Sequence, residues 1–192
     1  QADERMAPAS LTKMMTGYVL SEAVRSGKVK WEDKAHISRA AWAQNPVFAG
    51  SSLMWVDIDS DVSLSDLYHG LVISSGNDAS VAIAEHLAGS EDAFAAMMNE
   101  QAARLGMTNT HFINSHGLPD PQHYTTARDL AILARAMIKD HPDDYAVYAQ
   151  QHFTYNNIRQ MNRNELLGEP GVDGIKTGHT SEAGYCLVTS AK

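Results

Sequence analysis

Apolar positions recur at helical spacing from Pro8 to about Ala149, and beyond that the pattern shortens to that of strands. The first run, Met14, Met15, Tyr18, Val19 and Leu20, predicts a helix from about Pro8 to Arg25. Proline is comfortable in a first helical turn, and Gly27 stops the run. A short helix is expected at Arg39–Gln44, ended by Asn45-Pro46, and Val47 to Asp61 reads as loop with one extended piece near Met54–Ile58. Ser63-Leu64-Ser65-Asp66 is an N-terminal capping signature ahead of Leu67, Leu71 and Val72. Small polar residues around Gly76 break the pattern between Ile73 and Asp78, and a new helix carrying Val81, Ile83, Ala84 and Leu87 runs to Gly89. Ser90-Glu91-Asp92 caps another through Phe94, Met97, Met98 and Leu105, stopped at Gly106. Met107 to Gln122 is loop. Thr126-Ala127-Arg128-Asp129 then caps a helix whose Leu130, Leu133, Ala134 and Met137 form an apolar stripe, ended by His141-Pro142.

The remainder predicts strands. His152–Tyr155 and Ile158–Met161 flank Asn156-Asn157 as a hairpin. After a Gly/Pro loop from Gly168 to Gly174, a strand starts at Ile175, and Gly184–Thr189 forms a second one beyond a turn at Thr180–Ala183. The pattern is a helical block between two ends that belong to a mixed α/β layer.

Composition narrows the function classes. The chain has 192 residues, enough for one domain, or two lobes of one, with a real core. Its net charge of −8 offers no basic groove, which argues against nucleic acid as a partner. The single cysteine, Cys186, excludes an internal disulfide and, lying in an apolar run, is expected to be a small core residue. No run is long enough for a transmembrane helix, and the polar residues Gln1 to Arg5 carry no signal-peptide pattern. The nine histidines include no His-Glu-x-x-His and no cysteine pair accompanies them, so neither a catalytic metal nor a cofactor is expected.

The candidate chemistry starts at Pro8-Ala9-Ser10-Leu11-Thr12-Lys13. Three residues apart on a helix, Ser10 and Lys13 share a face. A serine needs a base to become a nucleophile, and a lysine serves as one when burial or a nearby cation lowers its pKa. The pair alone is weak, since a chain of this length shows Ser-x-x-Lys by chance roughly every second time. Two further pieces follow in order: Ser75-Gly76-Asn77 at a helix break and Lys176-Thr177-Gly178 at a strand start. Each alone is most often a cap or a turn; the ordered trio is hard to obtain by chance.

Together the three resemble the signatures of the penicillin-recognising serine enzymes, with Ser-Gly-Asn standing where the group's Ser-Asp-Asn is usual. That variant, with Ala9-Ser10-Leu11-Thr12-Lys13-Met14-Met15-Thr16, His116-Gly117-Leu118, Asn162-Arg163-Asn164 and Val172 to His179, looks like the D-alanyl-D-alanine carboxypeptidases of the low-molecular-weight, type-five class. The resemblance implies an α+β fold of the β-lactamase/transpeptidase type: a helical subdomain at about 31–149 packed on an antiparallel sheet that this chain only partly supplies. It implies that Ser10 attacks the carbonyl between two D-alanines, that Lys13 is its base, and that Lys176 helps keep Lys13 neutral. Ser75 would relay the proton to the leaving amine, and Asn77 would hold the substrate amide and orient Lys13. Thr177, backed by Lys176, would grip the terminal carboxylate. The Ser10 and His179 backbone N–H groups would form the oxyanion hole, with Gly178 between Thr177 and His179. His116 is placed at the cleft edge, with an influence on the deacylating water or a purely structural role. Arg163 is a candidate for carboxylate recognition or a surface salt bridge, and Asp140 for holding the His116 loop or ending its helix.

The implied partners are peptidoglycan stem peptides ending in D-Ala-D-Ala and β-lactam antibiotics, and the implied location is periplasmic, with membrane contact only through an anchor outside this sequence. The family's flanking strands, small C-terminal domain and anchor are likewise expected to lie outside it. One alternative is a class A-like serine β-lactamase; Met107 to Tyr124 holds no glutamate, only Asp120, to activate a deacylating water. The other is a non-catalytic wall-binding or β-lactam-binding fragment.

Overall fold

The computed structural model describes residues 1–192. Its centre is helix α1 (Thr12–Arg25), which is buried on all sides from Thr12 to Ser21. A helix buried all round must satisfy its polar side chains inside the protein. Thr12 Oγ1 meets His123 Nε2 at 2.8 Å, and Thr16 Oγ1 donates to the Ser115 carbonyl at 2.6 Å. The residues just ahead of α1, Ala9–Leu11, form a 3-10 turn rather than the first α-helical turn that was expected. Ala9 sits at φ 49 there, a left-handed conformation in which an α-helix cannot begin.

Around α1 stand α2 (Leu64–Val72), α3 (Asn77–Ala88), α4 (Glu91–Leu105) and α5 (Ala127–Asp140), followed by the short α6 (Pro142–Tyr145). The expected caps form: Ser63 accepts from Asp66 N, Ser90 from Ala93 N, and Thr126 from Asp129 N. Gly89 and Gly106 end α3 and α4 at φ 83 and 82. One contiguous core runs from Met14 of α1 through Phe94 of α4 and Leu133 of α5 to Ile175, so the helices and the last hairpin share one interior.

Three two-stranded antiparallel sheets complete the chain. Strands β1 (Lys34–His36) and β2 (Asp61–Ser63) pair within the helical block. Strands β3 (His152–Tyr155) and β4 (Ile158–Met161) form the expected hairpin, with Asn156 and Asn157 at φ 47 and 59 in its turn. Strand β5 (Val172–Thr180) begins three residues before the expected Ile175 and pairs with β6 (Gly184–Ala191).

Two expected elements are absent. Arg39–Gln44 is a chain of turns, because side chains take up its backbone groups before helical bonds can: Ser38 Oγ accepts from Ala40 N and Ala41 N, and Asn45 Nδ2 donates to the Arg39 and Ala40 carbonyls. Met54–Ile58 is not a strand either. The Asp78 carboxylate accepts from Met54 N, Trp55 N and Val56 N at 2.8, 2.8 and 3.1 Å, which turns that backbone inward instead of along a ladder.

Candidate active site

The 3-10 turn, the α2–α3 break and β5 converge on a cleft of about 740 Å³. Ser10, Ser75, Asn77, His116, Arg163, Thr177, Gly178 and His179 all line it. Lys13 and Lys176 lie buried just beneath these lining residues. The ten residues expected to catalyse or bind substrate are therefore gathered in one place, although they come from segments up to 169 positions apart.

The environment of Ser10 is built by close backbone approach. A side chain on Gly178 would meet Ser10 N at 3.0 Å, Ala9 Cβ at 3.2 Å and Leu11 N at 3.3 Å, so β5 lies against the Ser10 turn only because residue 178 lacks one. Opposite, a Cβ on Gly117 would fall 1.9 Å from the Ala9 carbonyl oxygen. The Ser10 N–H makes no hydrogen bond within the chain and is left beside the cleft.

Lys13 Nζ lies 2.9 Å from Ser10 Oγ and donates to the His116 carbonyl at 2.8 Å. Lys176 Nζ donates to Ser75 Oγ and to the Thr177 carbonyl, both at 3.0 Å. Two lysine–hydroxyl pairs thus face each other across the cleft floor. Burial holds Lys13 well below the usual lysine range, the Lys176 and Arg163 cations push it further down, and Asp78 opposes them. The sequence reading named burial or a nearby cation as the cause; both act, and desolvation is the larger. Burial, followed by the Arg163 charge, lowers Lys176 to about 7.

The helical wall is stiffly held. Ser75 sits at φ 55, unusual for a residue with a side chain and worth roughly 1–3 kcal/mol of strain. Gly76 N donates to the Gly70 carbonyl and Asn77 N to the Ser52 carbonyl, fixing both sides of the kink. Asp78, next in line, pins the Met54–Val56 backbone, and the same loop brings Ser51 and Ser52 to the cleft. Neither serine carries a sequence signal that sets it apart.

Four placements differ from, or narrow, the sequence reading. Asp140 ends α5 and accepts from Tyr18 Oη at 3.0 Å, so it does not hold the His116 loop. That work falls to Glu91, which accepts from Ser115 Oγ at 2.6 Å and Ser115 N at 3.0 Å. His116 Nδ1 accepts from Leu118 N, and burial followed by the Lys13 charge lowers its pKa to about 3, leaving a neutral ring. Cys186 is half-buried on the cleft wall rather than in the core, because it lies opposite Gly178 in the β5–β6 register. Arg163 lines the cleft and reaches the Ser74 carbonyl at 3.4 Å. No group of three or more histidine, cysteine or acidic side chains is arranged to hold a metal ion.

A buried lysine beside a cleft serine, a second lysine–serine pair opposite, and a helical body against an antiparallel hairpin define a penicillin-recognising serine enzyme architecture. The family model for D-alanyl-D-alanine carboxypeptidases matches residues 1–192, and the chain belongs to that family. It is 51% identical over 193 aligned positions to the D-alanyl-D-alanine carboxypeptidase DacA of Escherichia coli, covering 99% of this chain and 48% of that protein. The structure of penicillin-binding protein 5 from Haemophilus influenzae superposes with a TM-score of 0.97 at 47% identity, over 100% of this chain and 56% of the other. Penicillin-binding protein D2 from Listeria monocytogenes, solved in an ampicillin-bound form, gives a TM-score of 0.83 at 32% identity, over 100% of this chain and 76% of that one. The chain spans about half the length of the curated relatives it matches.

Proposed function

We propose that this cleft is the acylating centre of a serine-type D-Ala-D-Ala carboxypeptidase that trims the terminal D-alanine from peptidoglycan pentapeptides. The observation that carries the reading is the 2.9 Å approach of Lys13 Nζ to Ser10 Oγ in a buried, cation-flanked setting. In this scheme Lys13 takes the Ser10 hydroxyl proton as Oγ bonds to the D-alanyl carbonyl carbon. The Ser10 N–H, with that of His179, faces the oxyanion, and losing one such donor costs about 3–4 kcal/mol. The C–N bond then breaks, and the departing D-alanine amine takes its proton through Ser75. Water cleaves the ester, releasing the shortened peptide acid and restoring Ser10. Asn77 holds the substrate amide. Thr177 and the Lys176 ammonium grip the free C-terminal carboxylate, whose charge would raise the Lys176 pKa again. Arg163 adds positive potential at the same end. A β-lactam ring presents a carbonyl and a carboxylate in the same relation, so such antibiotics acylate Ser10. The absence of a glutamate in the 107–124 segment supports slow release and inhibition rather than β-lactamase turnover. The resemblance to bacterial D-alanyl-D-alanine carboxypeptidases supports a periplasmic location for the working protein.

Intact-mass spectrometry after incubation with penicillin tests the reading. A mass gain of one penicilloyl group, lost in Ser10→Ala, is expected, with release of D-alanine from a D-Ala-D-Ala peptide as the companion assay. A folded chain that takes up no penicilloyl group would overturn it.

A further inference from the structure

Glu91 stands at the first turn of α4, outside the cleft lining, yet it ends a chain of contacts that reaches the nucleophile. Both of its oxygens are engaged by one residue: Oε1 accepts from Ser115 Oγ at 2.6 Å, and Oε2 accepts from Ser115 N at 3.0 Å. Oε2 also lies 3.7 Å from His116 Nε2. From Ser115 the chain continues inward along two carbonyls. The Ser115 carbonyl accepts from Thr16 Oγ1 at 2.6 Å, and the His116 carbonyl accepts from Lys13 Nζ at 2.8 Å. Gly117 follows, pressed against the Ala9 carbonyl. Asn114 Oδ1 accepts from Gly117 N at 2.7 Å and closes the turn.

The His116 carbonyl matters for what a lysine base requires. A neutral amine has two N–H bonds and one lone pair. If one N–H is committed to the His116 oxygen, rotation about the Cε–Nζ bond is restricted and the lone pair stays facing Ser10 Oγ. A shift of the carbonyl frees the rotor. We propose that Glu91 is a positioning residue for acylation: by clamping Ser115 it holds the His116 carbonyl where it aims the Lys13 amine at Ser10. The inference rests on the reading of Ser10 and Lys13 as nucleophile and base.

A clamp of this kind predicts a signature that simple loss of folded protein lacks. A carbonyl acceptor favours the charged ammonium, so moving it away lowers the Lys13 pKa further. Lys176, Arg163 and Asp78, the other charges facing Lys13, remain in place. Around Glu91 the charged neighbours are Glu85 and Asp92, and His116 is the ring beside it.

The experiment measures the rate constant of Ser10 acylation by a chromogenic cephalosporin across pH for the unaltered protein, Glu91→Ala, Ser115→Ala and the double variant. Active-site titration counts the folded fraction. Glu91→Ala is expected to lower the acylation rate per titrated site by about tenfold, as a small misplacement of a reacting group does, and to move the acid limb to lower pH. Ser115→Ala removes only a hydroxyl and is expected to reproduce part of both effects. The double variant is expected to match Glu91→Ala, because the two residues act as one clamp. An unchanged rate per titrated site, an unshifted acid limb, or additive losses would overturn the clamp. No acylation in the unaltered protein would instead overturn the functional reading on which it rests.

Discussion

On the helical wall of the cleft, Ser75 and Asn77 are buried, Ser75 in a left-handed conformation, with the Asp78 carboxylate bonding to Met54 N, Trp55 N, Val56 N and Ala79 N behind them. On the sheet wall, Thr177, Gly178 and His179 ride on a two-stranded hairpin in which Ile175 and Lys176 are buried, one on each face. Further along the hairpin, Tyr185 is 92% exposed and its ring tilts over that of His179, with centroids 4.2 Å apart. The first wall positions its groups by satisfying buried backbone; the second does so by lying flat against the Ser10 turn. Damage to the first should therefore appear as lost stability, and damage to the second as lost chemistry.

Asp78→Ala breaks the comparison at its strongest point. It orphans the four N–H groups bonded to the carboxylate, and each buried orphan costs about 1–3 kcal/mol. Stability in urea should fall by about 4 kcal/mol or more, with acylation falling alongside it. Asp78→Asn, which keeps one acceptor oxygen, should lose about half as much. A fall below about 1 kcal/mol for Asp78→Ala would show that the helical wall is held by something else.

Gly178→Ala should do the reverse. Its new methyl group would press on Ser10 N, Ala9 Cβ and Leu11 N at 3.0–3.3 Å, none of them the end of a flexible side chain. Moving β5 away from Ser10 is expected to lower the acylation rate, by up to about a hundredfold if the displacement reaches roughly 1 Å. The Tm should change little, because residue 178 is not part of the core. A large Tm loss with normal acylation per folded molecule would erase the distinction between the walls.

The residues that carry this contrast were unevenly legible in the sequence. Ser63, Ser90 and Thr126 could be read as caps because each bonds three positions ahead. Ser10 and Lys13 could be paired because i and i+3 share a helical face, even though the true turn is 3-10. Asp78 and Glu91 could not be read as tethers: each reaches a partner about two dozen positions away, Met54 and Ser115 respectively. The same gap explains the lost Met54–Ile58 strand and why the sequence left two roles open for Asp140, of which the helix end is the one observed. Cys186 was misplaced because an apolar run does not say which face of a hairpin meets a cleft. Sequence pattern conveys bonds within a turn of helix, whereas the support of the site consists of side-chain to backbone bonds across the fold.

The smallest expected effect concerns the two lysines, one from each wall. In the proposed scheme Lys13 acts as the neutral amine, and it is held well below the lysine range. The same scheme needs a charged Lys176 to bind a carboxylate, and its pKa is lowered to about 7. Acylation should rise as pH climbs through the Lys13 pKa. It should fall as pH climbs through about 7, where Lys176 loses its proton, by up to about tenfold per pH unit in the free enzyme. Lys176→Arg separates the two limbs. An arginine stays protonated, so the alkaline limb should disappear, while the plateau drops because the guanidinium does not fit the Ser75 and Thr177 contacts of the ammonium. Persistence of the same alkaline limb in Lys176→Arg would assign it to another group and leave the sheet wall with a geometric role alone.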